Sequence, residues 1–377
     1  MKYRIIVLWL LCVIALPVVA QSYKAVLPYR MVGGKMVVEM ALNGTPRSFI
    51  FDTGGRTALP GNICEELGLA VVDSLTVTDV NSNKSVYPIV SVASLLTSDG
   101  KINFRNVPAM KLPNAIPFEC FQVDGLIGSD LLVHMIVEID GKAKTITLAS
   151  SEKTPTISLR KMLPFVRPRL PIIFLQAGAG NNIACLFDTG TSGFFTLKKT
   201  DFEALEDVNS FLVVSEGYGE SALGVSGMAE ADVSHRVCFP LLSLGPTKFK
   251  NVTVETATPP YTLLGVKLLD YGKVTLDYPR ARFYFEAYET ENDLSAKHYN
   301  LGLRVKDGDL IVSTVWGDMK DQVEVGDKVI KINGKLTPKY DFCESIINGI
   351  PELKEKESCK LTVLTIRGER EIVYQKE

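Results

Sequence analysis

The sequence predicts a mainly β protein in which two related β-rich lobes are followed by a smaller β-rich unit. Two apolar runs, each typical of a buried strand, end in Asp-Thr-Gly at residues 52–54 and 188–190. Each motif is followed, at nearly the same distance, by an apolar pair and a glycine. After a polar stretch near residue 290 the strand pattern begins again, which indicates a separate folded unit.

The Asp-Thr-Gly motifs place an acidic side chain where an apolar strand breaks into a tight turn. A carboxylate in that position is costly to desolvate unless backbone N–H groups or a hydroxyl bind it. Two such carboxylates facing one another would share a proton, because like charges so close together do not both ionise. A single copy has a plainer interpretation, a strand-to-turn junction whose Asp caps the turn.

An internal duplication supports pairing the two motifs. Gly128 lies 76 residues after Asp52, and Gly265 lies 77 residues after Asp188 (128 − 52 and 265 − 188). A Phe-x-Asn-Val sequence also recurs about midway along each half. The chain therefore contains two copies of one pattern, each with its own acidic residue.

These paired motifs resemble those of the pepsin-like and retropepsin-like aspartic proteases, over about residues 25–290. The resemblance implies a bilobal protein with closed β-barrel lobes and one catalytic residue from each lobe, Asp52 and Asp188. It also implies that neighbouring residues support this pair and that the apolar-apolar-Gly segments form ψ-shaped loops beside it. The supporting residues are Thr53, Gly54, Thr189, Gly190 and Thr191, and the ψ-loop residues are Leu126, Ile127, Gly128, Leu263, Leu264 and Gly265.

One position departs from the family pattern. The family has Ser or Thr after Asp-Thr-Gly, and its hydroxyl binds the outer carboxylate oxygen. The second lobe keeps this residue as Thr191, but the first lobe has Gly55. We therefore expect the Asp52 carboxylate to lack one hydrogen bond.

The resemblance implies an aspartic-type endopeptidase, a hydrolase in which a water held by Asp52 and Asp188 attacks an extended peptide segment. The partner would be a peptide or protein substrate, and the reaction needs no cofactor and no metal. The shared proton predicts a bell-shaped rate profile that favours acidic pH. The alternative is a catalytically inactive, aspartic-protease-like peptide-binding protein, for which Gly55 is the support in the sequence. No residue favours a third interpretation, a small-molecule hydrolase.

A hairpin is predicted after each Asp motif, and the resemblance implies that it forms a flap over the substrate. The two turns lie at the same distance from the acidic residues, 30 residues in each half (82 − 52 and 218 − 188). Tyr87 is either an aromatic flap contact or an ordinary packing residue, and Tyr218 is either a flap residue or a solvent-exposed turn residue. The flap candidates are Asn81, Ser82, Asn83 and Tyr87 in the first half and Gly217, Tyr218 and Gly219 in the second.

The unit after residue 300 resembles a PDZ domain. Residues 326–334 match the Gly-Asp-x-φ-x-x-φ-Asn-Gly segment of that family, and Leu301, Gly302 and Leu303 match its carboxylate-binding loop. The resemblance implies that turn N–H groups bind the C-terminal carboxylate of a peptide while the peptide adds to a sheet edge. Such a unit would recruit substrate or regulate access to the cleft. The alternative is a β-rich module that only packs against the lobes.

The N-terminus predicts an exported protein. A basic start, an apolar run over residues 5–19 and a small residue at Ala20 are typical of a secretory signal peptide cleaved after Ala20. We expect a periplasmic or secreted protein with no membrane span once the leader is removed. Lipid anchoring is less favoured, since Cys12 lacks the small residues that precede a lipidated cysteine. The predicted boundaries are signal peptide 1–20, protease lobe 1 21–160, protease lobe 2 161–288, linker 289–299 and PDZ-like domain 300–377.

Composition excludes several classes of function. Hydrophobic residues make up 46% of the chain and charged residues 22%, which is typical of a globular protein with a substantial core. The net charge of −2 and the lack of any basic run argue against a nucleic-acid partner. His134, His235 and His298 are too scattered to show metal-ligand spacing.

The cysteines leave two arrangements open. Six remain after the predicted leader, two in each of the three units. An exported protein permits disulfides, and one bridge per unit would pair Cys64 with Cys120, Cys185 with Cys238 and Cys343 with Cys359. The other arrangement is buried free thiols, because cysteine also behaves as a small apolar residue.

Overall fold

The structure, a computed structural model, describes residues 23–78, 84–114, 116–151, 155–178, 180–206, 208–220, 223–224, 227–228 and 230–377. Over these residues the protein is mainly β and its strands form closed β-barrel sheets, which confirms the predicted fold class in these respects. The predicted leader and the predicted flap turn at Asn81, Ser82 and Asn83 lie outside the described residues. None of the helices in the described ranges is long and apolar enough to cross a membrane.

In the first half of the chain, the described residues form ten strands and three short helices. Buried residues alternate with more exposed ones along the first and tenth strands, as expected when one face of a sheet covers a core. The strands are β1 (Lys24–Val32), β2 (Lys35–Leu42), β3 (Thr45–Asp52), β4 (Ala58–Pro60), β5 (Val71–Thr78), β6 (Lys84–Thr97), β7 (Asn103–Leu112), β8 (Gly125–Gly128), β9 (Met135–Asp140) and β10 (Thr145–Ser150). The helices are α1 (Gly61–Glu66), α2 (Ile116–Phe121) and α3 (Ser129–Leu132).

The second half repeats much of this arrangement, and the two halves are called the first and second lobe below. Its strands are β11 (Met162–Pro164), β12 (Ile172–Ala177), β13 (Asn181–Asp188), β14 (Phe195–Lys198), β15 (Leu212–Gly219), β16 (Leu223–Gly224), β17 (Gly227–Met228), β18 (Asp232–Leu244), β19 (Thr247–Ala257), β20 (Thr262–Gly265), β21 (Gly272–Asp277), β22 (Arg282–Ala287) and β23 (Glu291–Asp293). Its described residues also form the α-helix α4 (Lys199–Glu206) and 3-10 helices at Leu159–Lys161, Val266–Asp270 and Tyr278–Arg280.

The C-terminal unit is a small β-rich fold with its own core. Five of its core side chains, Leu310, Val312, Val329, Leu361 and Val363, are fully buried in a cluster separate from that of the lobes. Its elements are β24 (Leu301–Lys306), β25 (Asp309–Trp316), a 3-10 helix at Gly317–Asp321, β26 (Lys328–Ile332), β27 (Lys335–Leu336), α5 (Phe342–Asn348), β28 (Ser358–Thr365) and β29 (Gly368–Gln375).

A sheet shared by the two lobes joins them. Strand β9 of the first lobe pairs antiparallel with β21 of the second, and the sheet continues through β10 and β1 on one side and β22 and β11 on the other. The facing residues Val137, Ile139, Val274 and Leu276 are fully buried in a hydrophobic cluster that runs through both lobes. Because burying apolar side chains is the dominant stabilising term in folding, this sheet fixes the lobes to one another.

The C-terminal unit is attached to the second lobe by a continuous sheet. Strand β25 pairs antiparallel with β15, so that Tyr218 lies opposite Val315. Beside this junction the Arg236 guanidinium lies 4.1 Å from the centre of the Trp316 ring and binds Glu255 at 2.7 Å. The largely buried Arg236 therefore stabilises the attachment by a cation–π contact and an ion pair.

The same unit is attached to the first lobe by a disulfide. Cys120 of α2 is bonded to Cys343 of α5. Next to the bond, Ile346 and Ile347 of α5 pack against the apolar cluster of the first lobe that contains Phe121. The C-terminal unit therefore contacts both lobes at once.

Three predictions are corrected by this architecture. The pairing of cysteines within each unit is wrong: the bond joins Cys120 to Cys343, while Cys64, Cys185, Cys238 and Cys359 are free. The glycine-rich segment at residues 217–219 is not a turn, because it forms the end of β15 and is paired on both edges. Residues 301–303 are likewise not a loop, because they begin strand β24 and pair with β25.

The segment predicted as a linker, residues 289–299, contributes an edge strand to the second lobe. Strand β23 pairs parallel with β19, and Glu291 forms ion pairs with Lys248 and Lys250. The charged residues that suggested a linker thus pair along a sheet edge.

Candidate active site

The strand pairing in each lobe places an Asp beside a glycine of the ψ-loop. Strand β3 lies parallel to β8 with Asp52 opposite Gly128, and β13 lies parallel to β20 with Asp188 opposite Gly265. A Cβ atom on Gly128 would lie 2.2 Å from the backbone of Arg56, and one on Gly265 would lie 2.2 Å from the Gly193 carbonyl oxygen. These glycines are required because the loop after each Asp crosses directly over them.

The two acidic side chains meet in one site. A Cβ atom on Gly54 would lie 2.5 Å from Cγ of Asp188, and a Cβ atom on Gly190 would lie 2.7 Å from Cγ of Asp52. Each glycine of an Asp-Thr-Gly motif therefore touches the carboxyl group of the other motif. Both Asp side chains are half-buried, so they remain within reach of solvent.

The threonines of the two motifs hold the lobes together beneath the carboxyl groups. The Thr53 hydroxyl donates to the Phe187 carbonyl at 2.8 Å and accepts from the Thr189 N–H at 3.1 Å. The Thr189 hydroxyl donates to the Phe51 carbonyl at 2.7 Å and accepts from the Thr53 N–H at 3.0 Å. Both side chains are fully buried, and these four reciprocal bonds fix the position of each Asp relative to the other.

The two carboxylates are held by different donors. Asp188 accepts from the Gly190 N–H at 2.8 Å and from the Thr191 hydroxyl at 3.0 Å, one bond on each oxygen. Asp52 accepts from the N–H groups of Gly54 at 3.0 Å and Gly55 at 2.8 Å, both on Oδ1. Gly55 thus supplies a backbone donor in place of the hydroxyl that the family pattern led us to expect.

The environment of Asp52 favours its protonated form. Loss of hydration, followed by the charge of Asp188 and a hydrogen bond with it, raises the pKa of Asp52 to about 8. Lys35 and the Gly54 N–H act in the opposite direction and lower this pKa. Around neutral pH Asp52 therefore holds a proton.

Sequence reasoning missed Lys35, the first residue of β2. The Lys35 ammonium donates a hydrogen bond to the Gly190 carbonyl, which belongs to the motif of the opposite lobe. A lysine after a Gly-Gly hairpin turn gives no signal of this contact, because it depends on the distance between the lobes.

The predicted flap residues that the structure describes lie in strands. Tyr87 is in β6 and packs against the apolar cluster of the first lobe that also includes Val37 and Ile50. Gly217 lies against the Trp316 ring, where a Cβ atom would come within 2.5 Å, and Tyr218 is exposed at the edge of the same junction. In the second lobe the predicted flap strand therefore forms the connection to the C-terminal unit.

No group of three or more His, Cys, Asp or Glu side chains within the described ranges is placed to hold a metal ion.

One comparison with known proteins bears on the function of part of the chain. Residues 38–131 match the family model described as aspartyl protease; this segment contains Asp52 and the first ψ-loop but only 94 residues of 377 (131 − 38 + 1). A retropepsin-like aspartic protease from Rickettsia conorii is similar at 20% identity, over 34% of this chain and 92% of that chain, with a TM-score of 0.25. No curated protein matches the chain. The family match supports an aspartic protease.

The raised pKa predicts how stability depends on pH. The unfolded chain releases the Asp52 proton near pH 3.8 and the folded protein releases it near pH 8, so this group destabilises the fold as pH rises between these values. The slope is at most about 1.4 kcal/mol per pH unit. Asp52→Asn should remove this decline. In denaturant titrations, the free energy of unfolding of the variant should therefore increase relative to that of the wild type from pH 4 to pH 8.

The control for this measurement is Asp99→Asn. Hydrogen bonds from Val26, Thr97 and Lys101 lower the pKa of Asp99, so its contribution to stability is lost only below about pH 4. Parallel stability curves for Asp52→Asn and the wild type from pH 4 to pH 8 would contradict the assignment of the shared proton.

The cross-lobe hydrogen bonds predict a second effect on stability. Thr53→Val keeps the shape of the side chain but leaves the Phe187 carbonyl and the Thr189 N–H unpaired in a buried site, which should cost about 2 to 4 kcal/mol. Urea unfolding measures this loss. Thr45→Val, at an exposed position of the same strand, should change stability by less than about 0.5 kcal/mol; equal effects of the two substitutions would count against the cross-lobe bonds.

Proposed function

We propose that the protein is an aspartic endopeptidase that hydrolyses extended peptide segments with a water activated by Asp52 and Asp188. The observation that supports this most is the placement of the two carboxyl groups, one from each lobe, in contact with the opposite Asp-Thr-Gly glycine. Hydrolysis of a peptide requires one group to accept a proton from water and another to donate one to the carbonyl oxygen. Two carboxyl groups that share a proton supply both at once.

The reaction follows from that shared proton. The ionised carboxylate removes a proton from water as the water oxygen bonds to the peptide carbonyl carbon, and the protonated carboxyl group donates its proton to the carbonyl oxygen. As the C–N bond of the tetrahedral intermediate breaks, the protonated carboxyl group donates its proton to the leaving nitrogen, and the other carboxylate accepts a proton from a hydroxyl of the intermediate while the C=O bond re-forms. The carboxyl pair ends with one proton, as it began. The raised pKa of Asp52 supports turnover up to about pH 8, above which loss of the proton should slow the reaction.

The alternative is a catalytically inactive peptide-binding protein. Its support in the sequence was Gly55, which removes a hydroxyl from the first lobe. The Gly55 N–H donates to Asp52 at 2.8 Å, so each carboxylate has two hydrogen-bond donors, and we favour the active enzyme.

We propose that the C-terminal unit is a PDZ-like module that controls access to the cleft. Its attachment to the first lobe through Cys120–Cys343 and to the second through β15 and β25 favours this role over recruitment by a loosely tethered module. Strand β24 pairs with β25 along one edge, and no second partner strand is found for it among the described residues. This free edge supports binding of an extended peptide by strand addition.

We also propose that the protein is exported. The disulfide between Cys120 and Cys343 supports an oxidising compartment, since such bonds rarely persist in reducing cytosol. The proposal includes a signal peptide over residues 1–20 and units over residues 21–160, 161–288 and 300–377, with the edge strand of residues 291–293 belonging to the second unit.

The test of catalysis is the loss of turnover when either acidic residue is neutralised. Asp52→Asn and Asp188→Asn should each lower kcat/KM for an unstructured protein substrate by about 10³-fold or more. In each variant only one carboxyl group remains, and the amide cannot perform the proton transfer of the other. Asp318→Asn, at an exposed position of the C-terminal unit, should match the wild type. A hydroxyl-bearing peptide that mimics the tetrahedral intermediate should inhibit the wild type.

Comparison of binding with cleavage distinguishes the two functions. An inactive binding protein would retain peptide affinity in fluorescence titrations while the wild type showed no cleavage between pH 3 and pH 8. Near-wild-type cleavage by Asp188→Asn would exclude the two-carboxyl mechanism.

The proposed role of the C-terminal unit predicts an effect of its disulfide. Reducing Cys120–Cys343 should increase hydrogen exchange in α2 and α5 while leaving β9 and β21 protected, because β25 still holds the unit to the second lobe. Cleavage of bulky, folded substrates should then increase more than cleavage of short peptides. The double variant Cys120→Ser/Cys343→Ser should show both effects without reductant and should not respond to it. Unchanged exchange in α2 and α5 would rule out this role for the bond.

A further inference from the structure

We propose that Lys35 is a positioning residue of the carboxyl pair: its ammonium crosses from the first lobe to the second and stabilises the ionised form that Gly55 leaves without a hydroxyl. This inference rests on the proposed function. It assigns a role to a residue outside both Asp-Thr-Gly motifs.

The position of Lys35 is fixed by the hairpin turn before it. Gly33 and Gly34 have φ values of +52° and +79°, the left-handed conformation that a two-residue hairpin turn requires. A Cβ atom on Gly33 would lie 2.7 Å from the Phe121 ring and 3.1 Å from Ile347 of the C-terminal unit. The turn is therefore held between the first lobe and the C-terminal unit.

The same turn also contacts the second lobe. A Cβ atom on Gly34 would lie 2.8 Å from Cβ of Ser192, two residues after Gly190. Strand β2 starts at this point, and the half-buried side chain of Lys35 reaches the Gly190 carbonyl, to which its ammonium donates a hydrogen bond. Since Gly190 touches the Asp52 carboxyl group, the ammonium is placed at the edge of the acidic pair.

Lys35 is available to act on this pair because it is not neutralised elsewhere. Among the ion pairs formed within the described ranges, none includes Lys35. Its hydrogen bond to Gly190 uses one of three N–H donors, and the accepting carbonyl carries no net charge. The field of the ammonium therefore acts on the nearest carboxylates.

The two carboxylates differ in their hydrogen bonds, and only Asp52 has an oxygen, Oδ2, to which neither of its two donors is bonded. Oδ2 of Asp188 accepts from the Thr191 hydroxyl, whereas both hydrogen bonds to Asp52 go to Oδ1. A side chain at position 55 has no room in this arrangement, because its Cβ atom would lie 2.6 Å from Oδ2 of Asp52. A cation that acts through space can stabilise the Asp52 carboxylate without occupying that position.

The charged groups around the pair determine in which direction Lys35 shifts the pKa of Asp52. Asp188 raises the pKa of Asp52, and Lys35 lowers it. Tyr278 lies within the field of both Asp52 and Asp130, and burial together with these charges raises the pKa of its phenol, so it stays neutral. Removing the Lys35 charge should therefore make Asp52 bind its proton more tightly. The alkaline limb of the rate profile, where this proton is lost, should then move to higher pH.

The test is a titration of the carboxyl groups by NMR of the full-length protein labelled with ¹³C at the Asp carboxyl carbons. Lys35→Met keeps the length of the side chain and should move the midpoint of the pair upward by about one pH unit. Lys35→Arg keeps the charge and should leave the midpoint within about half a unit. Lys101→Met, which removes an exposed lysine paired with Asp99, should leave it unchanged.

A matched variant on the other carboxylate calibrates this titration. Thr191→Val removes the hydroxyl from Asp188 and should also raise the midpoint, which shows that the measurement detects the loss of one stabilising group. With active enzyme, the alkaline limb of the kcat profile of Lys35→Met should shift upward by about one pH unit, so that kcat at a fixed pH on that limb rises about tenfold.

Two outcomes would overturn the role of Lys35. One is an unchanged midpoint in Lys35→Met while Thr191→Val shifts it. The other is a fall in thermal stability of Lys35→Met with no change in midpoint, which would indicate a purely structural hydrogen bond. Because the NMR titration needs no turnover, it tests Lys35 even if the wild type proves to cleave no peptide, the result that would refute the proposed function.

Discussion

The arrangement of the site depends on the four hydrogen bonds that Thr53 and Thr189 exchange across the lobes. A buried threonine must pair both its hydroxyl and its backbone N–H. Here each threonine forms these hydrogen bonds with groups of the opposite lobe. This reciprocity leaves little freedom in how the two Asp-bearing strands approach one another. The carboxyl groups that follow from these strands are consequently held close together despite the unfavourable interaction between their charges.

Holding two carboxyl groups together has an electrostatic cost that the site distributes over several donors. Backbone N–H groups, the Thr191 hydroxyl and the Lys35 ammonium favour ionisation, while burial and mutual repulsion oppose it. The balance keeps Asp52 protonated near neutral pH. The two halves reach this balance with different donors, because Gly55 has no room for the side chain that Thr191 provides.

The C-terminal unit further restricts how the two lobes are positioned relative to one another. Strand β15 and strand β25 join it to the second lobe, and Cys120–Cys343 joins it to the first. Together with the β9–β21 sheet beneath the site, these connections close a ring that passes through all three units. The Gly33–Gly34 turn lies where the units meet, in contact with Phe121, Ile347 and Ser192, so a shift in the C-terminal unit would reach Lys35 through a short path.

Local patterns in the sequence were sufficient for the β class, the duplication and the choice of Asp52 and Asp188 as candidate residues, because apolar runs ending in Asp-Thr-Gly depend only on neighbouring residues. The tertiary structure alone decided that Cys120 bonds Cys343, that residues 217–219 form a paired strand and that Lys35 reaches Gly190. Each of these contacts joins residues more than ninety positions apart. Which distant residues meet is set by how completed sheets pack and pair, and a one-dimensional pattern of hydrophobicity and turn residues carries no information about that packing.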